Sequence, residues 1–409
     1  MNAREKFQAA MSFASPGFTM KTEFGYWAGA IRRWLSEGLP KRAALPTAVL
    51  DGDLVRASLP LASESPGCES GTWTRTGSAE LVDRNVMPLL GLDSYLAKFP
   101  IDFSPRLPKR ILEEDDHRRV FTDAYGLTVM VLKDGAATPE VLDYPIGNRR
   151  DLEEYLERYD AELVRELQAE VRVLAQGLEE RTYPLRLGGG PFGFTFFLRS
   201  LMGEVGYMTA LYDDPGLIHR FNEFFLNHAM VYWAAILEAV DIDCVMILED
   251  VAYRSGPMIS PEMFATFALP YTRRLVDFVR QFGVECIVVD CDGRIDALIP
   301  LWVRAGVTGI FPVEAANDIL AIREAFPRLQ LLGGIDKRPL IRGEPRAIDD
   351  ELERIRPLLD RGGYVPHVDH AVPADVSWES FVYYRERLNQ IIDARCGAGA
   401  GVKTSRRKR

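Results

Sequence analysis

The chain is poor in the features that mark several large classes of protein. Five cysteines (Cys68, Cys244, Cys286, Cys291 and Cys396) stand at scattered spacings in 409 residues. An odd, dispersed set is no disulfide framework and suits a reducing compartment. No run of 18 apolar residues occurs, so no membrane-spanning helix is expected. Residues 1–14 carry charges through a mixed segment without an apolar core, unlike a secretory leader. Positive charge is also short: 49 Lys and Arg stand against 59 Asp and Glu, a net charge of −10. That balance gives no general attraction to nucleic acid or anionic lipid. The basic run at 403–409 follows the Gly/Ala stretch 397–401 and reads as a solvated, flexible tail. Missing too are a G-x-S-x-G elbow, a Walker loop, H-E-x-x-H and C-x-x-C. A cytoplasmic enzyme or binding protein remains.

What is present is a large apolar content, 47% of residues, enough for one α/β domain of barrel size. Residues 109–132 alternate short β-prone runs with turns and predict an antiparallel meander. Residues 151–180 show apolar positions at helical spacing among charges, predicting one or two surface helices. Beyond them, short apolar runs at 183–187, 244–248, 286–289, 307–311, 329–332 and 364–367 alternate with amphipathic helices. Asp214-Pro215 and Ser260-Pro261 open two of those helices as cap-plus-proline starts. This rhythm predicts a parallel sheet, and strands at 18–24 and 99–103 would bring the count to eight. The expected division is an N-terminal arm with the first strands, meander and surface helices (1–182), a main barrel region (183–395) and a tail (396–409).

Polar residues follow the strands: Glu249-Asp250, Asp290-Cys291-Asp292, Glu314, Asp336 and Asp369-His370. In a (β/α)8 barrel those strand ends converge on one mouth, whereas in an open sheet only the switch point would gather them. The barrel is therefore the predicted fold. Asp290 and Asp292 are two apart and so share a side of an extended segment, with His370 arriving from another strand end. Acids at such positions equally serve as helix caps and ion-pair partners, and Asp292, followed by glycine, fits a cap well. Cys291, between them, points the other way and reads as a packed thiol. Gly188-Gly189-Gly190-Pro191-Phe192-Gly193 matches a pyrophosphate-cradle pattern, but its proline removes a donor, so a tight loop at the mouth is expected. The aromatic stretch around Tyr26 and Trp27 would either floor a pocket for a flat ligand or staple the N-terminal arm.

Several segments together resemble the uroporphyrinogen decarboxylase superfamily. They are Ile259-Ser260-Pro261-Glu262-Met263-Phe264 with Leu269-Pro270-Tyr271, Asp292-Gly293 with Leu298-Ile299-Pro300, Gly333-Gly334-Ile335-Asp336-Lys337, and Gly362-Gly363-Tyr364 through Asp369-His370 to Val372-Pro373. Phe24-Gly25-Tyr26-Trp27 and Glu37-Gly38-Leu39-Pro40 also recur in its decarboxylase-like members. The resemblance spans about residues 18–392 and implies a distorted TIM barrel, here with an N-terminal extension and the antiparallel meander. Tetrapyrrole decarboxylases of the superfamily hold their substrate through an R-x-A-G-R segment. The nearest equivalent here, Ala28-Gly29-Ala30-Ile31-Arg32-Arg33, departs from it. Corrinoid-linked methyltransferases of the superfamily hold zinc on His-x-Cys plus a later Cys. The resemblance sets Asp290 and Asp292 at the His-x-Cys positions and His370 at the later Cys, a harder ligand set suited to Zn²⁺, Fe²⁺ or Mn²⁺.

The expected function is methyl transfer or demethylation linked to a corrinoid carrier, assisted by a divalent metal on Asp290, Asp292 and His370. Catalytic roles fall to Glu249, Asp290 and His370, and substrate contacts to Tyr26, Trp27 and Asp336. The alternatives are decarboxylation of a tetrapyrrole or other carboxylated aromatic substrate, and non-catalytic binding of a corrinoid or tetrapyrrole. A small-molecule substrate, a corrinoid carrier protein and a second copy in a homodimer are the expected partners, with no nucleic acid and no membrane.

Overall fold

A computed structural model describes residues 1–13, 18–40, 54–56, 80–82, 86–100, 102, 104–132 and 140–399. Cys68, Phe103 and the basic run 403–409 lie outside the described residues. Seven parallel strands form one sheet: β1 (Ala97–Lys98), β2 (Leu185–Gly188), β3 (Cys244–Leu248), β4 (Ile287–Asp290), β5 (Gly309–Val313), β6 (Gln330–Gly333) and β7 (Tyr364–Val365). They neighbour one another in chain order, β1 to β7, so every connection crosses over in the same sense. The result is a curled half-barrel rather than a doubly wound sheet.

The two-residue strand period sorts the side chains into two cores. Val245 and Ile247 of β3, Ile287 and Val289 of β4 and Leu331 of β6 pack outward against the helices. Met246, Val288, Phe311, Leu332 and Val365 pack inward. Helix Ala3–Met11 closes the N-terminal ends of the strands by adding Phe7, Ala10 and Met11 to the inner core. Gln330 Nε2 and Gly363 N donate to its last carbonyls, those of Met11 (2.9 Å) and Ala10 (3.0 Å). The residues that follow β3, β4 and β7 lie at the opposite end, where the strands run out.

Residues 18–27 run between the sheet's edges. Thr19 Oγ1 donates to Tyr364 O (2.6 Å), Asp93 N to Lys21 O (2.6 Å), and Trp27 N to Val372 O (3.0 Å). Of this stretch only Gly25–Trp27 is a strand, pairing antiparallel with Leu54–Arg56. The expected strand at 18–24 is instead held by side-chain and scattered main-chain bonds. A four-stranded antiparallel sheet (Arg110–Glu114, Arg118–Thr122, Thr128–Leu132, Glu140–Asp143) precedes helices Arg149–Leu156 and Ala161–Leu174. No described helix is long and apolar enough to cross a membrane.

Candidate active site

The candidate site is at the C-terminal ends of the strands, where a barrel of this kind carries its chemistry, and the alternation that builds the inner core also aims its charges. Val288 faces inward, so Asp290, two residues on at the end of β4, faces the cleft. By the same count Lys98 and Arg186, in register on β1 and β2, turn inward while Ala97, Leu185 and Leu187 pack outward. Lys98 Nζ donates to Gly190 O and Arg186 Nη1 to Gly188 O, both at 2.8 Å, which draws both cations up toward the mouth. Neither cation was singled out from sequence. The available signal was a charge at an inward position of a strand otherwise apolar, a placement that needs a purpose because burial of charge is costly.

His370 follows β7 and packs beside two rings, Phe24 tilted at 5.1 Å and Trp27 near-parallel at 6.3 Å. Its Nε2 lies 3.5 Å from Asp292 Oδ2. Burial pulls the imidazole pKa down, but Asp292, followed by Glu314, outweighs it, and the net shift is upward. The imidazolium thus persists to higher pH than that of an ordinary histidine. Asp292 does not cap a helix: the next helix starts only at Ile299. Gly293 turns the chain instead at φ 80°, with its N–H donated to Glu314 Oε2 at 2.7 Å. Burial, and then neighbouring Asp292, raises the Glu314 pKa. Across from it, Lys337 Nζ donates to Asp369 Oδ1 (3.0 Å) and Ala315 N to Asp369 Oδ2 (3.1 Å).

The other expected site residues are placed differently. Glu249 is wholly enclosed and accepts from Phe194 N (3.3 Å), Thr195 N (2.9 Å) and the Thr195 hydroxyl. Burial pushes its pKa up to about 7. It ties the end of β3 to the glycine loop rather than opening on the cleft. That loop is tight because β3 lies under it: a Cβ on Gly188 would meet Met246 O at 2.3 Å and one on Gly193 would meet Leu248 O at 1.6 Å. Gly189 N is spent on Met246 O (2.7 Å), so the loop offers no phosphate cradle there. Asp250, next along, has left-handed backbone (φ 38°), and Arg199 donates to its carbonyl.

Of the aromatic pair, Trp27 faces His370, but Tyr26 points to the other side of its short strand. There its ring packs edge-on against Trp34 (5.2 Å) and Phe381 (5.4 Å) in the outer core. Asp336 is engaged by Arg338, with Nε 2.8 Å from Oδ2, and also accepts from Arg338 N (2.9 Å), a local turn rather than a cleft contact. Cys291 is buried in the outer core, with Val251 N donating to its sulfur at 3.4 Å. His367, not singled out from sequence, is fully buried beneath the cleft. Its Nδ1 lies 2.7 Å from Val368 O, and Tyr95 OH lies 3.3 Å from its Nε2.

Among the described residues no three His, Cys, Asp or Glu side chains are grouped so that they could hold a metal ion. Asp290, Asp292 and His370 thus do not make the three-donor set that their spacing suggested. Asp292 has left the strand by the time it meets His370. Asp290 stands in register with Phe311, whose ring packs on Phe24 (5.1 Å), which in turn packs on His370.

Comparison with known proteins agrees with this fold. The family model for uroporphyrinogen decarboxylase (URO-D) matches residues 119–389, and the chain belongs to that family. A uroporphyrinogen decarboxylase of Syntrophotalea carbinolica is 24% identical over 257 residues, 58% of this chain and 70% of the relative. Among solved structures, a methyltransferase from Methanosarcina mazei shares the fold at a TM-score of 0.52, with 17% identity over 75% of this chain and 82% of that one.

Proposed function

We propose that this chain is an enzyme that decarboxylates a flat, carboxylated substrate by proton transfer. The reading takes the curled sheet as a (β/α)8 barrel with residues 18–27 in the eighth position. The observation that supports it is the His370–Asp292 pair, 3.5 Å apart, with the imidazole beside the rings of Trp27 and Phe24 and its pKa raised. A planar substrate stacks on Trp27. Lys98 and Arg186 hold an anionic group that does not react, so that their binding energy goes into orientation. Asp290 accepts an N–H or O–H of the ring. The C–C bond to the reacting carboxylate breaks, CO2 leaves, the electron pair stays on carbon, and His370 Nε2 supplies the proton that forms the new C–H bond. Solvent then reprotonates His370.

A second reading is corrinoid-linked methyl transfer, favoured by the fold shared with the Methanosarcina methyltransferase. It calls for a metal-held acceptor, and the separation of Asp290 from the Asp292–His370 pair does not supply one. The test is oxygen-free incubation of the full chain in D2O with a panel of carboxyl-labelled aromatic acids, following labelled CO2 and deuterium at the vacated carbon. Release with one deuterium is expected, lowered about 10² to 10⁴-fold in His370→Asn. Methylation of cob(I)alamin by methylated substrates, with no CO2 from any acid, would replace this reading with the second.

A further inference from the structure

One cation at the strand ends has no part in the chemistry so far. Lys337 follows Asp336, the expected substrate contact, and the turn after β6 decides which of the two faces the site. Asp336 is engaged by Arg338, and its N–H donates to Glu351 Oε1 (2.8 Å) of helix Pro345–Arg361. Ile335 N donates to His367 O (3.2 Å) and Asp369 N to Ile335 O (2.8 Å), so the chain after β6 is stitched to the chain after β7. That stitching sets Lys337 beside the segment that carries His370. Its Nζ donates to Asp369 Oδ1 (3.0 Å), and its charge acts on both His370 and Glu314. The Lys337 side chain is 26% exposed against 5% for Asp369, so the ammonium can be reached where its carboxylate partner scarcely can.

We propose that Lys337 is a catalytic residue that faces the carboxylate to be lost, and that the substrate is an aromatic diacid whose second carboxylate rests on Lys98 and Arg186. The inference rests on the decarboxylase reading given above. His370 must reach the carbon that the carboxylate leaves, so that carboxylate lies on the side of His370 and Lys337. Two cations stand there against three acids, Asp292, Glu314 and Asp369, and no surplus of positive charge remains to bind it tightly. Breaking the C–C bond releases neutral CO2 and moves the electron pair onto carbon. Lys337 stabilises that pair until His370 Nε2 protonates it. Its charge therefore counts for more in the transition state than in the bound ground state, the condition for raising kcat.

The test is the split between kcat and KM for CO2 release by the full chain, with hydroxyphthalates and pyrrole dicarboxylates as substrates. Lys337→Met should lower kcat about 10²-fold or more while moving KM less than about threefold. Lys337→Arg should recover most of kcat, because the position supplies charge rather than a transferable proton. Asp369→Asn should lower KM and kcat together, since it removes a repulsion felt only by the bound carboxylate. Melting temperatures of the three variants check that the turn after β6 survives. A loss confined to KM in Lys337→Met, or an arginine variant as inactive as the methionine one, would overturn the inference and leave the decarboxylase reading standing, because the wild type still releases CO2. Release from aromatic monoacids but from neither class of diacid would overturn the diacid assignment. No release from any acid would remove the reading and the inference together.

Discussion

Asp292 makes His370 a better-protonated group than burial alone would allow, and this sets a pH signature. The folded pKa of His370 is raised, so the pair's contribution to stability is present below the unfolded value near 6.5 and is lost as pH rises through the folded value. If the imidazolium is the proton donor, activity falls on the same basic limb. Asp292→Asn removes the principal raising influence, so the basic limb of kcat/KM should move to lower pH, with kcat at acid pH changing less. A limb that stays in place would mean that another group donates. The spacing of Asp290 and Asp292 was legible in the sequence, as was the outward turn of Cys291. The destination of Asp292 was not. Period-two alternation holds only inside β4, which ends at Asp290, and beyond it the turn at Gly293 redirects the chain. Tyr26 and Trp27 failed to travel together for the converse reason: neighbours on a strand face opposite sides.

Between elements, a buried ion pair fixes the wall that carries Phe24 and Trp27. Glu23 and Arg385 are both fully enclosed, 3.4 Å apart. Glu23 also accepts from Val368 N (2.9 Å) and from Tyr384 OH (3.1 Å) of helix Trp378–Gly399. One carboxylate thereby joins the N-terminal segment, the segment after β7 and the last long helix. Burial raises its pKa, against the pull of Arg385. Arg385→Met would leave that carboxylate uncompensated and should cost about 3–5 kcal/mol in denaturant unfolding. The loss should grow as pH rises, because the folded state then holds a proton on Glu23 that the unfolded state releases. Adding Glu23→Gln should recover part of it, and a loss independent of pH would show that packing around Arg385 dominates. Local pattern could not reveal this junction, since 362 residues separate its partners. What local pattern revealed well were the strands from β2 to β7, each a short apolar run with its own period. Glu140–Asp143, with only Val141 and Leu142 apolar and three of its four residues exposed, carried no such run.

At the scale of the whole molecule, the distribution of cations decides which substrates fit. The sequence departed from the anion clamp of tetrapyrrole decarboxylases at Arg32 and Arg33, and the fold gives that departure its meaning. Arg33 Nη1 donates to Ala374 O (3.0 Å) and Asp375 O (2.7 Å), and its Nε to Glu37 Oε1 (2.6 Å), so it staples helix Ala28–Ser36 to the loop after β7. Arg32 is exposed on the same helix. The cations aimed inward, Lys98 and Arg186, come from β1 and β2 and sit side by side, suited to one anionic group rather than to carboxylates spread around a macrocycle. Uroporphyrinogen should therefore be a negligible substrate in an anaerobic assay, and Arg33→Ala should lower melting temperature without creating or abolishing turnover. Lys98→Met or Arg186→Met should raise KM for a smaller aromatic acid about tenfold or more, the loss of one charge-assisted contact, while changing kcat less. Uroporphyrinogen turnover in the usual range of about 1 to 10³ s⁻¹ would instead require a macrocycle clamp that neither Arg33 nor the Lys98–Arg186 pair provides.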